Sequence, residues 1–187
     1  MMDRPAYSFY PHAWVIFLYR MGLGARLGSP ERGYPMVLTT LAAGTSFKHP
    51  HIVNYAWGGY NRVYVAPAHE RVRWYTDLKS NAYAEVWIGR ELWAGRAYPV
   101  PDLQERSDAY RKILQRSGPL VPPLVGFNPH LASDDMLRAA SAAVPVMRIQ
   151  LEHQLPGGGG DLRWLLPLGL IAASVIWLVR LWANNTE

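Results

Sequence analysis

Short runs of β-branched and aromatic residues, divided by glycines and prolines, fill the middle of the chain. Runs of this length and composition are typical of strands in an antiparallel sheet. The predicted strands cover residues 34–41, 51–57, 62–66, 85–88, 92–100 and 144–151. Gly58 and Gly59 are expected to turn the chain after the second strand, and Gly89 with Arg90 to close a hairpin after the fourth. The pattern therefore predicts six or so mainly antiparallel strands that form a small barrel.

Helical signals interrupt the strands at three places. Trp74 and Tyr75 open a short helical segment between the third and fourth strands. Asp102 and Glu105 have the spacing of a capping box, and apolar residues then recur on one helix face. Ser133 is placed to cap a further helix that runs to about residue 142. Residues 29–155 are thus expected to form one α+β domain with helices packed on the barrel.

A short aromatic helix is predicted within residues 1–28. The apolar stretch 13–19, AWVIFLY, is too short to span a bilayer, and no small-residue cleavage site follows it. We interpret this helix as a cap on the hydrophobic core. The alternative is a helix that touches a membrane surface through Trp14, Phe17 and Tyr19.

The last part of the chain has a different hydrophobic pattern, because it is apolar on every side. Residues 164–179 carry no charge, and a helix over 162–183 would be roughly 30 Å long at about 1.5 Å per residue. Arg163 and Arg180 lie near its two ends, as expected for a spanning helix. We therefore predict a transmembrane helix, the alternative being a helix buried in the core or on another subunit. The glycine-rich residues 156–161 are predicted to be a flexible linker.

Composition excludes several classes of protein. The 187 residues include no cysteine, which rules out disulfides and thiolate-bound metal sites. The net charge of +5 is scattered, so it favours an anionic small ligand or lipid surface over nucleic acid. His49 and His51 have no further metal ligands nearby in sequence, and no metal site is predicted.

Residues 62–100, together with segments 17–28, 37–57 and 144–151, resemble the split β-barrel family of deazaflavin-dependent nitroreductases and quinone reductases. In that family a strand that ends near V-A-A-S leads into a helix with the pattern W-Y-x-N-L-x-A-N-P. The matching residues here are Val65, Ala66, Pro67 and Ala68, then Trp74, Tyr75, Asp77, Leu78, Ser80, Asn81 and Ala82. The resemblance covers most of residues 15–152 and implies a flavin-reductase-like split β-barrel.

The resemblance also implies a cofactor site. The family's G-R-x-S-G connector cradles the phosphate and acidic tail of the deazaflavin coenzyme F-420. Here Thr45 and Ser46 would supply hydroxyls, and Lys48 with His49 would supply positive charge. The two arginines and the second glycine of the motif are absent, and lysine lacks the bidentate fork of arginine. FMN or haem therefore remain alternative ligands.

The flat ring of the cofactor would run past the small residues after the third strand. The resemblance implies that Val65, Ala66, Pro67, Ala68 and Trp74 line it, and that Tyr55 lies on the substrate side. It implies no conspicuous catalytic side chain, because the cofactor carries the redox chemistry and the protein orients the reactants.

The implied activity is hydride transfer from reduced deazaflavin to a lipophilic acceptor such as a quinone or a nitro compound. An FMN-dependent enzyme is the second choice. The proline-rich loop 119–132 is a candidate lid, and the C-terminal helix implies a single-pass cell-membrane protein with a cytoplasmic barrel. A homodimer is compatible with the resemblance. The alternative function is a non-catalytic split-barrel protein that binds a flavin-like or haem ligand.

Overall fold

The computed structural model describes residues 12–27, 35–42, 44–117, 126–158 and 160–184. Its five α-helices and six strands follow one another along these ranges. The helices are α1 (His12–Arg20), α2 (Arg73–Ser80), α3 (Leu103–Gln115), α4 (Asp134–Ala142) and α5 (Leu165–Asn184). The strands are β1 (Pro35–Leu41), β2 (Lys48–Gly59), β3 (Arg62–Val65), β4 (Tyr83–Ile88), β5 (Glu91–Pro99) and β6 (Met147–Leu155).

The six strands close into a barrel in the order β1-β2-β3-β6-β5-β4. Every pair is antiparallel, and β1 closes the barrel by pairing with both β2 and β4. Closure leaves the sheet without a continuous open edge. The predicted α+β class and the antiparallel barrel with packed helices are confirmed.

Two details of β2 differ from the prediction. The strand begins at Lys48 and includes Pro50, because β3 pairs with β2 only from Tyr55 onward and Pro50 needs no second hydrogen-bonded neighbour. The turn into β3 lies at Tyr60 and Asn61, whose φ angles are 46° and 57°, and Gly58 and Gly59 belong to the strand. Two consecutive positive φ values are typical of a type I′ hairpin turn.

Apolar side chains fill the barrel interior. Alternate residues of each strand point inward, as the pleat of a strand requires. The interior cluster contains Met36, Leu38, Val53, Val63, Val65, Ala84, Val86, Ala97, Met147, Ile149 and Leu151, together with Trp74 and Leu78 from α2. A six-stranded barrel of this kind is therefore a packed core, and α2 covers one of its ends, which we call the barrel mouth.

Helices cover two parts of the outer barrel surface. Val15 and Tyr19 of α1 pack on Val37 and Ile52, and the Tyr19 hydroxyl donates to the carbonyl oxygen of Pro35 at 2.7 Å. Burial raises the pKa of Tyr19 well above its usual range, so this hydroxyl stays protonated. The predicted role of α1 as a cap on the core agrees with these contacts.

Helix α3 covers the outer face of β2 and β3, and α4 packs against α3. The predicted caps are present: Asp102 accepts from the backbone N–H of Glu105 at 2.6 Å, and Ser133 accepts from that of Met136 at 3.3 Å. The Glu105 carboxylate does not complete a capping box. It accepts instead from the Tyr64 hydroxyl at 2.7 Å and from Arg148 at 3.2 Å, which fastens α3 to the barrel.

The glycine-rich connection to α5 lies against the rest of the chain. Trp87 Nε1 donates to the carbonyl oxygen of Gly158 at 2.9 Å, and an added Cβ on Gly160 would collide with the backbone of Arg20 and Gly22. Arg20 also forms an ion pair with Asp161 at 2.6 Å. These glycines permit close backbone approach, a use that differs from the flexible linker predicted from composition.

The predicted transmembrane segment forms α5, and the large apolar side chains Leu168, Leu170, Ile171, Val175, Ile176 and Trp177 are exposed. In the part of the chain that the structure describes, no helix combines the length and hydropathy needed to cross a bilayer. The predicted spanning helix is therefore not supported. The start of the predicted first strand and half of the predicted lid, residues 119–125, lie outside the described residues.

Candidate functional site

Polar side chains meet at the barrel mouth because of the register between β1 and β2. Thr40 pairs with His49, and Leu38 pairs with His51. Leu38 belongs to the interior core, and Thr40, two residues further along β1, faces the same side of the sheet. Their partners His51 and His49 face that side too. The two histidine rings lie 6.4 Å apart, centroid to centroid. Two imidazoles therefore occupy the end of the barrel where α2 arrives.

Helix α2 adds a carboxylate and a guanidinium to this end. Arg73 and Asp77 are four residues apart and hence on one face of the helix. The Thr40 hydroxyl donates to Oδ2 of Asp77 at 2.8 Å, and Nδ1 of His49 lies 3.5 Å from the same oxygen. Arg73 Nη2 lies 3.1 Å from Nε2 of His49. We call these four residues the mouth cluster.

Burial divides the mouth cluster into an inner and an outer part. Thr40 and Asp77 are buried, whereas His49 is partly buried and Arg73 is exposed. The buried carboxylate is satisfied by a hydroxyl and faces an imidazole, an arrangement that orients the ring. The outer part presents Arg73 and His49 to solvent. An anionic group can therefore reach a guanidinium and an imidazole without displacing core side chains.

Two residues predicted to bind the phosphate, Lys48 and His49, lie on opposite faces of the sheet. Lys48 and His49 are neighbours in a strand, so their side chains point to opposite faces. Lys48 Nζ forms an ion pair at 2.6 Å with Glu85, which also accepts from the Tyr83 hydroxyl at 3.0 Å. Glu85 pairs in register with Thr39, on the outer face of the barrel. Lys48 is thus separated from the mouth cluster, and its charge is balanced.

The connector hydroxyls have different surroundings. The Thr45 hydroxyl donates to the carbonyl oxygen of Ala42 at 3.3 Å and accepts from the N–H of Phe47 at 3.2 Å. It is therefore used within its own turn. Ser46 is exposed, and its side chain remains available to a ligand.

The predicted ring-binding residues are also divided. Val65 and Trp74 lie in the interior core, and only 4% of the Trp74 surface is exposed. Ala66 packs against the outer cluster beneath α3, whereas Pro67 is buried and Ala68 is exposed. The structure therefore brings Val65 and Trp74 together inside the barrel, whereas Ala66 lies on the outer face of the sheet. The outer surface near Ala68 is the accessible part of this segment.

Tyr55, the predicted substrate-side residue, packs partly buried against the interior core. The guanidinium carbon of Arg116 lies 5.6 Å from the centroid of its ring, within the range of a cation–π contact. Arg116 follows the end of α3. Packing against the core and the contact with Arg116 thus fix the position of the Tyr55 ring.

The sequence pattern predicted no site role for Arg73, Asp77, Thr40 or Glu85. The four-residue spacing of Arg73 and Asp77 was a signal for a shared helix face. Nothing local in sequence indicated that this face would meet His49, because the contact spans more than one element.

No known protein family matches the chain by its sequence profile, and no curated protein matches it. Solved structures similar to it include a protein described as an F420 reductase, with 16% identity, a TM-score of 0.43, and coverage of 67% of this chain and 91% of that one. Another is described as an F420-H2 dependent reductase, with 14% identity, a TM-score of 0.45, and coverage of 62% and 92%. General Stress Protein 26 from Bacillus anthracis shows 14% identity, a TM-score of 0.43, and coverage of 71% and 89%. At these identities and TM-scores the fold assignment rests on the strand order of the barrel itself.

Proposed function

We propose that the chain is an oxidoreductase of the split-barrel class that uses a deazaflavin-type coenzyme, with FMN as the alternative. The closed antiparallel barrel agrees with the fold that the sequence resemblance implies. The observation that carries the proposal is the position of Arg73 beside His49. This guanidinium supplies, from α2, the phosphate-binding charge that is missing from the connector.

The residues present fit the phosphate end of such a cofactor. Arg73, His49 and Ser46 would hold the phosphate, while Lys48 contributes little because Glu85 balances its charge. Of the residues predicted to line the ring, Ala68 is exposed, so we propose that the ring lies on the outer surface near Ala68, while Trp74 stays in the core behind it.

When bound, the reduced coenzyme supplies a hydride to the acceptor. The chain itself would orient the ring and the acceptor and exclude water between them. Tyr55 stays the predicted substrate-side residue, and the acceptor is proposed to be lipophilic, such as a quinone or a nitro compound.

A binding titration tests the proposal. We expect reduced F-420, followed by its fluorescence or absorbance, to bind the purified protein and to be oxidised on addition of a quinone or nitroaromatic compound. The Arg73→Gln variant should bind about tenfold more weakly or worse, because it loses a charged hydrogen-bond donor. The matched control is Arg90→Gln, an exposed arginine at the β4–β5 turn, at the opposite end of the barrel. Equal affinity of the two variants would contradict the assigned role of Arg73.

A non-catalytic split-barrel binding protein is the second candidate function. It is favoured by the ion pair between Lys48 and Glu85, which weakens the predicted cradle, and by the burial of Trp74 in the core. Parallel titrations with FMN and haem distinguish the candidates. Tight binding of a ligand without turnover of any acceptor would favour the binder over the enzyme.

We propose attachment to the cell membrane through α5, with the barrel on the cytoplasmic side. The support is the exposure of Trp164, just before the helix, and of large apolar side chains on several sides of the helix: Leu168, Leu170, Ile171, Val175, Ile176 and Trp177. We expect the full chain to float with liposomes in a density gradient and a variant that lacks residues 162–187 to stay at the bottom. Equal flotation, or equal turnover of lipid-embedded quinone by both forms, would contradict this location.

A further inference from the structure

The protonation state of His49 follows from its neighbour. Arginine carries hydrogen-bond donors and no acceptor. The contact of 3.1 Å between Arg73 Nη2 and His49 Nε2 therefore requires Nε2 to accept. An accepting Nε2 places the single ring proton on Nδ1, which faces Oδ2 of Asp77 at 3.5 Å. The contact with Arg73 thus favours the Nδ1–H tautomer of His49.

The hydrogen bonding on the Nδ1 side is incomplete. Nδ1 of His49 is inaccessible to solvent and forms no complete hydrogen bond. Asp77 instead accepts the Thr40 hydroxyl at 2.8 Å. A carboxylate at this distance stabilises an imidazolium more than a neutral imidazole, because its attraction acts on a full charge. Asp77 therefore favours the imidazolium form of His49 from the Nδ1 side. Arg73 disfavours it from the Nε2 side, because its guanidinium is positively charged and needs Nε2 as an acceptor.

A bound anion would remove the unfavourable effect of Arg73 on protonation of Nε2. Among the residues that the structure describes, no carboxylate forms an ion pair with Arg73. An oxyanion that bridges Arg73 and His49 would accept from the guanidinium and would need a donor on Nε2 as well. The Nδ1 proton stays in place, because its transfer to Nε2 would leave two acceptors, Nδ1 and Oδ2 of Asp77, facing each other. The donor on Nε2 is therefore a newly bound proton, which converts His49 to the imidazolium.

The other charged groups nearby do not alter this conclusion. Arg73 and Asp77 face the ring from α2, and His51 follows on the same strand with its ring 6.4 Å away. Thr40 faces it from β1 and does not titrate. Lys48 and Glu85 lie on the other face of the sheet and balance each other.

We infer that the mouth cluster is a proton-linked binding site for a tetrahedral oxyanion of the phosphate and sulfate class, in which Arg73 and protonated His49 hold the anion and Asp77 holds the imidazolium. The inference rests on the proposed function for the natural source of the anion, a phosphorylated cofactor. Its chemistry is independent of the ring that the phosphate carries.

Sulfate is the suitable probe, because its charge stays constant between pH 6 and pH 8. We expect sulfate titrations of the full chain, followed by the ring ¹⁵N and ¹H signals of His49, to show affinity that falls about tenfold per pH unit above the range where His49 is protonated, since one proton binds with the anion. The sulfate-free protein at pH 8 should show a protonated Nδ1 and an unprotonated Nε2. Binding of sulfate should bring a proton to Nε2.

Two variants separate this mechanism from general charge attraction. Arg73→Gln should bind sulfate about tenfold more weakly, as expected for loss of a charged hydrogen bond, and Arg90→Gln should bind like the unchanged protein. His49→Asn should bind weakly with no dependence on pH. Affinity that is independent of pH in the unchanged protein, equal binding by the two arginine variants, or a proton on Nε2 without sulfate would overturn the inference.

The tautomer measurement needs no substitution, so a variant that fails to fold does not remove the test. The outcomes also separate this inference from the proposed function. Proton-linked sulfate binding without affinity for deazaflavin, FMN or any redox activity would leave the anion site standing and refute the oxidoreductase. Cofactor binding and turnover together with pH-independent sulfate binding would support the oxidoreductase and refute the proton-linked anion site.

Discussion

Replacement of Trp74 by alanine is expected to lower the free energy of unfolding by about 3 to 5 kcal/mol, because it leaves a large cavity in the barrel core. The indole is 4% exposed and belongs to the cluster that fills the interior, with Val65 and Leu78 among its members. Its ring also meets that of Tyr75 at an interplanar angle of 85° and a centroid distance of 6.1 Å. The change is measured by urea unfolding at equilibrium, and the melting temperature should fall by on the order of 10 °C.

The control for this experiment is Trp164→Ala, which removes the same side chain from a site where 61% of its surface is exposed. Surface substitutions usually change stability by less than about 0.5 kcal/mol. Trp74→Phe should fall between the two variants, since it retains part of the buried area. A small, equal effect of both alanine variants, with loss of cofactor affinity only at Trp74, would show that the indole lines an open slot.

Replacement of Gly95 by alanine is expected to destabilise the protein by about 2 to 3 kcal/mol through overpacking. Gly95 lies in β5 next to an irregularity in the pairing with β6, between Ala94 and Gly95. An added Cβ would collide with the carbonyl oxygen of Gln150 and would crowd a side-chain methyl of Ile149 at 3.3 Å. The first obstacle is backbone, which cannot rotate away, so the two strands would have to separate.

Gly169→Ala is the matched control, because the same methyl group at this position in α5 meets nothing within 4 Å. Alanine favours a helix over glycine by about 1 kcal/mol, so this variant should be as stable as the unchanged protein or more stable. Both variants are compared by thermal and urea unfolding. If Gly95→Ala unfolds like Gly169→Ala, the strands β5 and β6 are not in the close contact that the structure shows.

Much of the local structure could be predicted because its causes are local. The alternation of apolar residues indicated strands, and the oxygens of Asp102 and Ser133 cap the helices that follow them. Boundaries were less accurate where a neighbour decides them. Pro50 is admitted to β2 only because no strand pairs with it on the β3 side, and that condition depends on the length of β3.

The candidate site could be predicted only in part. His49 was identified as a site residue, but Lys48 was grouped with it although the pleat of β2 sends their side chains to opposite faces. Arg73 was not predicted, because its contact with His49 depends on how α2 lies over the barrel mouth. Trp74 was placed beside a cofactor ring, whereas the structure packs it among interior side chains.

The amino-acid sequence by itself determined which segments of this protein become strands and helices, since propensity, alternation and capping act between residues that are close along the chain. Only the tertiary structure decided that β1 closes the barrel with β4 and that Lys48 pairs with Glu85 on the outer face. It also decided that Arg73 and Asp77 contact His49 at the barrel mouth. These contacts join residues that are distant in sequence, and their geometry is set by the register and closure of the whole sheet.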